Sequence, residues 1–369
     1  MDTYSYDVIV IGAGIVGATA AAQLSRSRRV ALVEAEEAAG YHSTGRSAAV
    51  WLANYGSPDA QILTRASRDF LVSPPSGFSE AALCGVRGSL VLARAAQEGA
   101  LRESMVGAVG LREISIAEAV GMVPAIRQAV IAAAVYEAGA ADLDVSAIHQ
   151  GYLRQHRLNG GVLALRARAG RVERVGGDWE VAVSGGAVFR APVVVNAAGA
   201  WGDAVAGLAG VRGLGLVAMR RTACIVDPGG WAVADWPMIN DMDEAWYCRP
   251  EMRTKLMVSP ADETPIHAHD VQPEEYDVAV GIDAMQQALD IDVRRVERSW
   301  AGLRTFTPDR GLAVGFDPVS DGFFWCVGQG GYGIQTSPAV GRLVAGLVSG
   351  SVDGDLAGAV ELVDPGRFS

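Results

Sequence analysis

Short unbroken apolar runs punctuate the chain. Val8–Ile11, Val30–Val33, 193–195 and Phe323–Val327 predict strands buried on both faces, the pattern of a parallel sheet. Three of the four hand over to small-residue turns. The first turn carries Gly12, Gly14 and Gly17 and leads into an Ala-rich helix to about Leu24. The second runs from Asn196 through Ala198 and Gly199 to Trp201, with a helix to about Leu208. The third is Gly328-Gln329-Gly330-Gly331-Tyr332-Gly333, followed by a helix over 334–347. The remaining run ends in Glu34.

Between these runs the patterns are mixed. Residues 89–92 alternate, and 172–175 with 179–183 flank Gly176-Gly177 as a hairpin. Strands are expected over 216–226, 244–249 and Lys255–Ser259. Helices are expected over 60–72, 98–106, 115–121 (stopped by Pro124), Val145–Leu158 and 278–289. Asp144 or Ser146 is the candidate N-cap of Val145–Leu158. The fold class is α/β, α+β overall. A Rossmann-like domain is assigned to 1–80, 140–215 and 301–369, and a second domain on a mixed β-sheet to 81–139 and 216–300.

The opening turn has a specific chemistry. Gly12 permits a sharp turn, Gly14 lets a pyrophosphate approach the backbone, and Gly17 lets helix and strand pack closely. The helix start offers unpaired N–H groups and a partial positive charge. Glu34 lies at the end of the next strand, where a carboxylate can accept from a ribose hydroxyl. Strand, turn, helix, strand and acid in this order predict a dinucleotide site.

Composition narrows the class. The chain has 369 residues, half of them hydrophobic, and a net charge of −11. That balance argues against a nucleic-acid surface. No apolar run reaches the roughly 20 residues that span a bilayer. The first strand begins by about Tyr6, which leaves no room for a signal peptide and predicts a cytoplasmic protein. Cys84, Cys224, Cys248 and Cys326 lack CxxC spacing and are expected to be reduced and buried. His267 and His269 form an HxH without a third ligand, so no metal site is assigned.

Two further stretches bear on the cofactor. Residues 39–49 are rich in Gly, Ala and hydroxyls. Ser43, Thr44, Ser47 and Ala48 suit close passage beside a cofactor, and Arg46 can face phosphate. The Gly-rich turn at 328–333 lies more than 300 residues after the first. A nicotinamide domain has no need of it, whereas FAD is long enough to reach from one turn to the other. The helix start at Gly333 and Ile334 can then stabilise negative charge on a reduced flavin. FAD is the expected cofactor, with Ala169, Ala198, Gly199, Gly330, Gly331 and Tyr332 among its contacts.

The motifs IGAGIVGA, GYHSTGRSAA, VVVNAAGAW, WAGLRTFTPD and GQGGYGIQTSPA together resemble those of the D-amino-acid-oxidase-like FAD-dependent oxidoreductases. Within that family they are most similar to bacterial D-arginine dehydrogenase. The resemblance runs from Tyr6 to about Gly346 and implies non-covalent FAD under a substrate domain. It makes Arg221 the carboxylate-binding arginine, Tyr247 a pocket tyrosine, Arg304 a second substrate-contacting arginine and Tyr55 a loop tyrosine over the pocket. The Gly331 carbonyl receives the substrate amine. An Arg pair with a Tyr hydroxyl is a good clamp for an α-carboxylate.

The acid that holds a guanidinium in the arginine enzyme falls at Ser89, and polar pocket neighbours fall at Val50 and Leu52. These exchanges predict a D-amino acid with a neutral, apolar side chain. Hydride leaves Cα for flavin N5, and the imino acid hydrolyses to a 2-oxo acid and ammonia. The alternative is a glycine- or sarcosine-oxidase-like enzyme acting on a secondary or N-substituted amino acid. A non-catalytic FAD-binding subunit is a third reading, disfavoured by Arg221, Tyr247 and Arg304. Oxygen or a quinone is expected to reoxidise the flavin.

Overall fold

The computed structural model describes residues 3–369. Its centre is a six-stranded sheet in the order Val162–Ala164, Val30–Val33, Val8–Ile11, Val193–Asn196, Phe323–Val327 and Ala313–Phe316. All neighbours are parallel except the last pair. Each apolar run of the sequence is one of these strands, buried along its length because helices cover one face and a second sheet the other.

Helix Ile15–Leu24 lies on this sheet and packs against helix Gly333–Ser349. The two approach closely because Gly341 has no side chain; a Cβ there would sit 2.5 Å from Thr19 Oγ1. Thr19 Oγ1 also donates to the Ser337 carbonyl at 3.1 Å. Helix Val145–Leu158 covers the other side of Ile15–Leu24. Its N-cap is Asp144, whose carboxylate accepts from Ala147 N at 2.8 Å.

The sheet packed on the six strands is four-stranded, in the order Thr3–Ser5, Val188–Ala191, Asp178–Val183 and Ala169–Val175, and a separate nine-stranded sheet has its own core. It contains the strands Val217–Val226, Lys255–Ser259, Tyr247–Glu251, Met238–Asp241, Ser89–Ala93 and Ala133–Glu137. Antiparallel pairs dominate, but Met238–Asp241 runs parallel to Ser89–Ala93, so the sheet is mixed. Its longest member is Val296–Phe306, which pairs with Val217–Val226 along nearly all its length. The sequence reading missed this strand because its first four residues are exposed and largely polar. The domain boundary expected at 301 therefore falls inside a strand.

Two other edges moved. The strand expected at 244–249 begins at Tyr247, because Asp241 folds the preceding residues into a turn. Its Oδ2 accepts from Asp243 N at 3.0 Å and Ala245 N at 3.3 Å, and Glu244 takes a left-handed φ of 55°. The helix expected from 278 starts at Glu275, with Glu275 and Asp277 in its first turn, where acids complement the helix dipole. No single helix is long and apolar enough to cross a membrane.

Candidate active site

Two cavities meet between the sheets. One, of about 320 Å³, runs along the glycine turn of the parallel sheet. The other, of about 630 Å³, lies over the nine-stranded sheet. They share a wall of six residues: Ser47, Ala48, Arg221, Tyr247, Gly331 and Ile334.

The first cavity is built from backbone. Gly12 has a φ of +102°, and a Cβ on it would lie 2.5 Å from the Ala197 carbonyl oxygen. A Cβ on Gly17 would lie 1.8 Å from the Gly12 oxygen. The turn is thus wedged between two strand ends and a helix start, and these positions admit only glycine. Gly14 is different: its φ is −69°, and the nearest obstacle to a Cβ is Thr44 Oγ1 at 3.3 Å. Thr44 Oγ1 accepts from Ile15 N at 2.9 Å and serves the helix start as a cap. Glu34 Oε2 accepts from Ala13 N at 2.7 Å, which holds its carboxylate at one end of the cavity. Ala169, Ala198, Gly199, Gly330 and Gly333 line the same cavity.

This cavity fits an extended dinucleotide. It carries a helix N-terminus without an acidic first turn, an acid at the far end of the turn, and bare backbone at both Gly-rich loops. Gln329 Oε1, on its wall, is buried without a partner.

Arg46 lines this cavity, but its guanidinium already has protein partners. It is ion-paired with Asp270 and donates from Nη1 to the carbonyls of Val271, at 2.9 Å, and Ala301, at 3.1 Å. With these partners it ties the 39–49 loop to the strand Val296–Phe306. Ser43 does likewise, donating from Oγ to the Leu303 carbonyl at 2.7 Å.

Arg221, Arg304 and Tyr247 converge where the cavities meet. Arg304 donates from Nη1 to Tyr55 Oη at 2.8 Å. Burial opposes its charge, but the Tyr55 and Tyr247 phenols outweigh that, and its pKa is raised. Tyr247 is buried at the start of its strand. Burial pushes its phenol up; the positive charges of Arg304 and Arg221, with hydrogen bonds to Ser259 and Arg221, bring it below the ordinary value. Arg221 is less free than the sequence implied. Its Nε donates to the Asp262 carbonyl at 2.9 Å, and its Nη2 pairs with Glu263 Oε1 at 3.1 Å. Tyr55 packs edge-on against Tyr332, with ring centroids 5.3 Å apart.

Ser89, Val50 and Leu52 line the larger cavity, as does Tyr55. So do residues that the motifs did not single out. Glu137 is buried, Asn240 donates from Nδ2 to Ser89 Oγ at 2.9 Å, and Gln335 has a buried Nε2 without a partner. The lining is mixed, with Val50, Leu52, Val91, Met238 and Trp246 beside these polar groups. The signal that could have found Glu137 is strand pairing: it stands directly opposite Ser89.

Residues 7–347 match the family described as FAD dependent oxidoreductase, DAO. FAD-dependent oxidoreductase domain-containing protein 1 of Xenopus laevis is 30% identical over 184 residues, 44% of this chain and 35% of that protein. The match thus spans about a third of the length of that relative. Among solved structures, L-proline dehydrogenase from P. horikoshii superposes with a TM-score of 0.86 at 22% identity, over 100% of this chain and 98% of its own. Glycine oxidase from Geobacillus kaustophilus gives 0.85 at 22% identity, over 96% and 98%. These two likenesses carry the fold.

Proposed function

The chain belongs to the FAD dependent oxidoreductase family, DAO, and on that premise we propose that it oxidises a D-amino acid to the 2-oxo acid and ammonia. FAD is its cofactor, held non-covalently in this reading; no cysteine lines either cavity among the described residues. The observation that carries the reading is the convergence of Arg221, Arg304 and Tyr247 at the junction of the two cavities. Two guanidinium groups beside a phenol suit an anionic anchor group, and a carboxylate can take an Arg fork through both its oxygens. The D configuration rests on the motif resemblance to D-arginine dehydrogenase.

When bound, FAD supplies the hydride acceptor. The protein's own residues bind and orient. Arg304 and the donors of Arg221 not taken by Asp262 and Glu263 hold the carboxylate, with Tyr247 Oη donating to it. The Gly331 carbonyl accepts from the substrate amine and fixes which face of Cα is turned to the cofactor cavity. None of the six shared residues is a His, Asp or Glu, so the amine enters neutral and no protein base is assigned. Hydrolysis of the imino acid then yields the 2-oxo acid.

The size of the larger cavity favours this over glycine or sarcosine as substrate. At about 630 Å³ it falls in the usual range for a drug-sized ligand. Anaerobic mixing of the holoenzyme with amino acids of both configurations tests the proposal. Loss of the flavin absorbance with a D-amino acid supports it, and an unbleached flavin with every amino acid removes it. Peroxide detection under air then separates oxygen from a quinone as acceptor.

A further inference from the structure

One edge of the strand Val217–Val226 is interrupted beside the clamp. Strand Lys255–Ser259 pairs with it from Cys224 to Val226, and the short strand Thr264–Pro265 pairs with it again at Met219 and Arg220. Cys224 stands opposite Val258 but Arg220 opposite Thr264, so four steps on one strand face six on the other. The extra residues bulge out of the ladder over 260–263. Bulges beside a site re-aim the side chains next to them. On this edge Arg221, Thr222 and Ala223 therefore face a loop instead of a strand.

Side chains of the bulge supply the bonds that the ladder omits. Asp262 accepts from Thr222 N at 2.6 Å through Oδ1 and from Thr222 Oγ1 at 3.0 Å through Oδ2. Ser259 Oγ donates to the Thr222 carbonyl at 2.6 Å and accepts from Ala261 N at 3.1 Å, where Ala261 takes a left-handed φ of 51°. Successive residues of a strand point to opposite faces, so Arg220 and Arg221 part company. Arg220 is buried among Asp262, Glu274 and Asp277, with Asp262 Oδ2 3.6 Å from its Nε. Arg221 turns to the cavities. Asp262 stands between the two arginines. Its carboxylate faces Arg220 and Thr222, and its carbonyl accepts from Arg221 Nε at 2.9 Å. The next residue, Glu263, pairs with Arg221 Nη2, and Ser259, at the other end of the bulge, bonds Tyr247. Asp262 itself lines neither cavity.

We propose that Asp262 is a positioning residue for substrate binding: by bonding Thr222 across the bulge it fixes the carbonyl that holds Arg221 Nε, and so sets where that guanidinium meets a carboxylate. This rests on the amino-acid reading above. With Nε and Nη2 both held by the bulge, Arg221 is oriented before a ligand arrives, and less rotamer freedom is lost on binding. Removing the Asp262 carboxylate strands Thr222 N and Oγ1 in a buried site, and the bulge must shift to satisfy them. The carbonyl of residue 262 shifts with the bulge, and Arg221 with the carbonyl.

The test uses the holoenzyme. Propionate is titrated against the flavin spectrum, with propionamide as the uncharged control. Asp262→Ala is expected to weaken propionate about tenfold or more, the scale of a charge-assisted hydrogen bond set out of place. Propionamide should move less than about threefold, since it makes no charged bond to Arg221. Thr222→Val keeps the shape of the residue and loses one tie to Asp262, so a loss of about threefold for propionate is expected, on the scale of a single hydrogen bond. Flavin content and melting temperature report folding. A role in folding alone lowers these and leaves the preference for propionate over propionamide as in wild type, which would overturn the proposal. If Asp262→Ala does not hold flavin, Thr222→Val decides, and an unchanged propionate affinity there overturns the proposal too. A wild type that binds no carboxylate, and whose flavin no amino acid bleaches, is a separate result, which removes the amino-acid reading and this proposal with it.

Discussion

Arg304 Nη1 donates to Tyr55 Oη at 2.8 Å, joining a strand of the substrate layer to the loop above the larger cavity. The bond spends one donor of Arg304 on orientation and leaves Nε and Nη2 for a ligand. Arg304→Gln removes the charge as well, so kcat/KM is expected to fall about a hundredfold or more, the scale of a charged hydrogen bond lost from a buried site. Tyr55→Phe keeps the charge and loosens it; a drop of about threefold to tenfold is expected on the scale of one neutral hydrogen bond. Flavin content should be unchanged in both. Equal and small effects would take Arg304 out of the clamp.

In the proposed reaction, Tyr247 is expected to confer sensitivity to alkali. Burial raises its phenol pKa, but Arg304, Arg221 and hydrogen bonds to Ser259 and Arg221 outweigh that and leave it below the ordinary 10.0. The neutral phenol donates to a carboxylate, whereas the phenolate repels it. As pH rises through the lowered pKa, kcat/KM should therefore fall, on a limb whose midpoint lies below 10.0. Tyr247→Phe should lose about tenfold at neutral pH, on the scale of a hydrogen bond to a charged group, and should lack that limb. A variant whose alkaline limb coincides with that of wild type would show that another group titrates there.

The cofactor half of this site was readable because its residues act through the backbone. An apolar run followed by glycines fixes strand, turn and helix start together, so Gly12, Gly14, Gly17 and Glu34 could be assigned from order alone. The convergence of Arg221, Arg304 and Tyr247 was legible only through longer motifs, since an isolated Arg or Tyr is as readily a surface or core residue. The partner of Arg46 was hidden because a cation in a Gly-rich loop looks free until the chain is folded, and Asp270 lies 224 residues away. Glu137 was invisible for the converse reason. Its relation to Ser89 exists only in the pairing of strands Ser89–Ala93 and Ala133–Glu137. The strand Val296–Phe306 escaped because its polar first half satisfies no periodic pattern.

The three glycines of the first turn should separate folding from cofactor binding. Gly17→Ala puts a methyl 1.8 Å from the Gly12 carbonyl oxygen, which backbone cannot yield cheaply. Little soluble protein is expected. Gly14→Ala meets only Thr44 Oγ1 at 3.3 Å, with no left-handed φ to strain it. It should fold with wild-type circular dichroism, while its methyl fills the space through which a pyrophosphate approaches the helix start. An FAD affinity loss of about tenfold or more is expected, equivalent to about 1.4 kcal/mol. Flavin fluorescence on dilution reads it directly. A Gly14→Ala protein that retains FAD as tightly as wild type would move the phosphates away from this turn.

Glu263 sets how strongly Arg221 attracts an anion. Its Oε1 lies 3.1 Å from Arg221 Nη2, and the same carboxylate bonds Arg310 at 2.9 and 2.8 Å. In the proposed clamp, Arg221 would therefore meet a carboxylate with part of its charge already neutralised. Glu263→Gln keeps an oxygen for Arg221 and removes the negative charge. A charge about 4 Å away in a partly exposed site is worth several kcal/mol before screening and reorganisation, of which about 1 kcal/mol should survive. Small carboxylates such as acetate and propionate, titrated by perturbation of the flavin spectrum, should then bind about threefold to tenfold more tightly, by the tenfold-per-1.4 kcal/mol rule. Arg221→Met should weaken the same carboxylates. If Glu263→Gln weakens them too, Glu263 orients Arg221 more than it competes for it, and the competition described here is wrong.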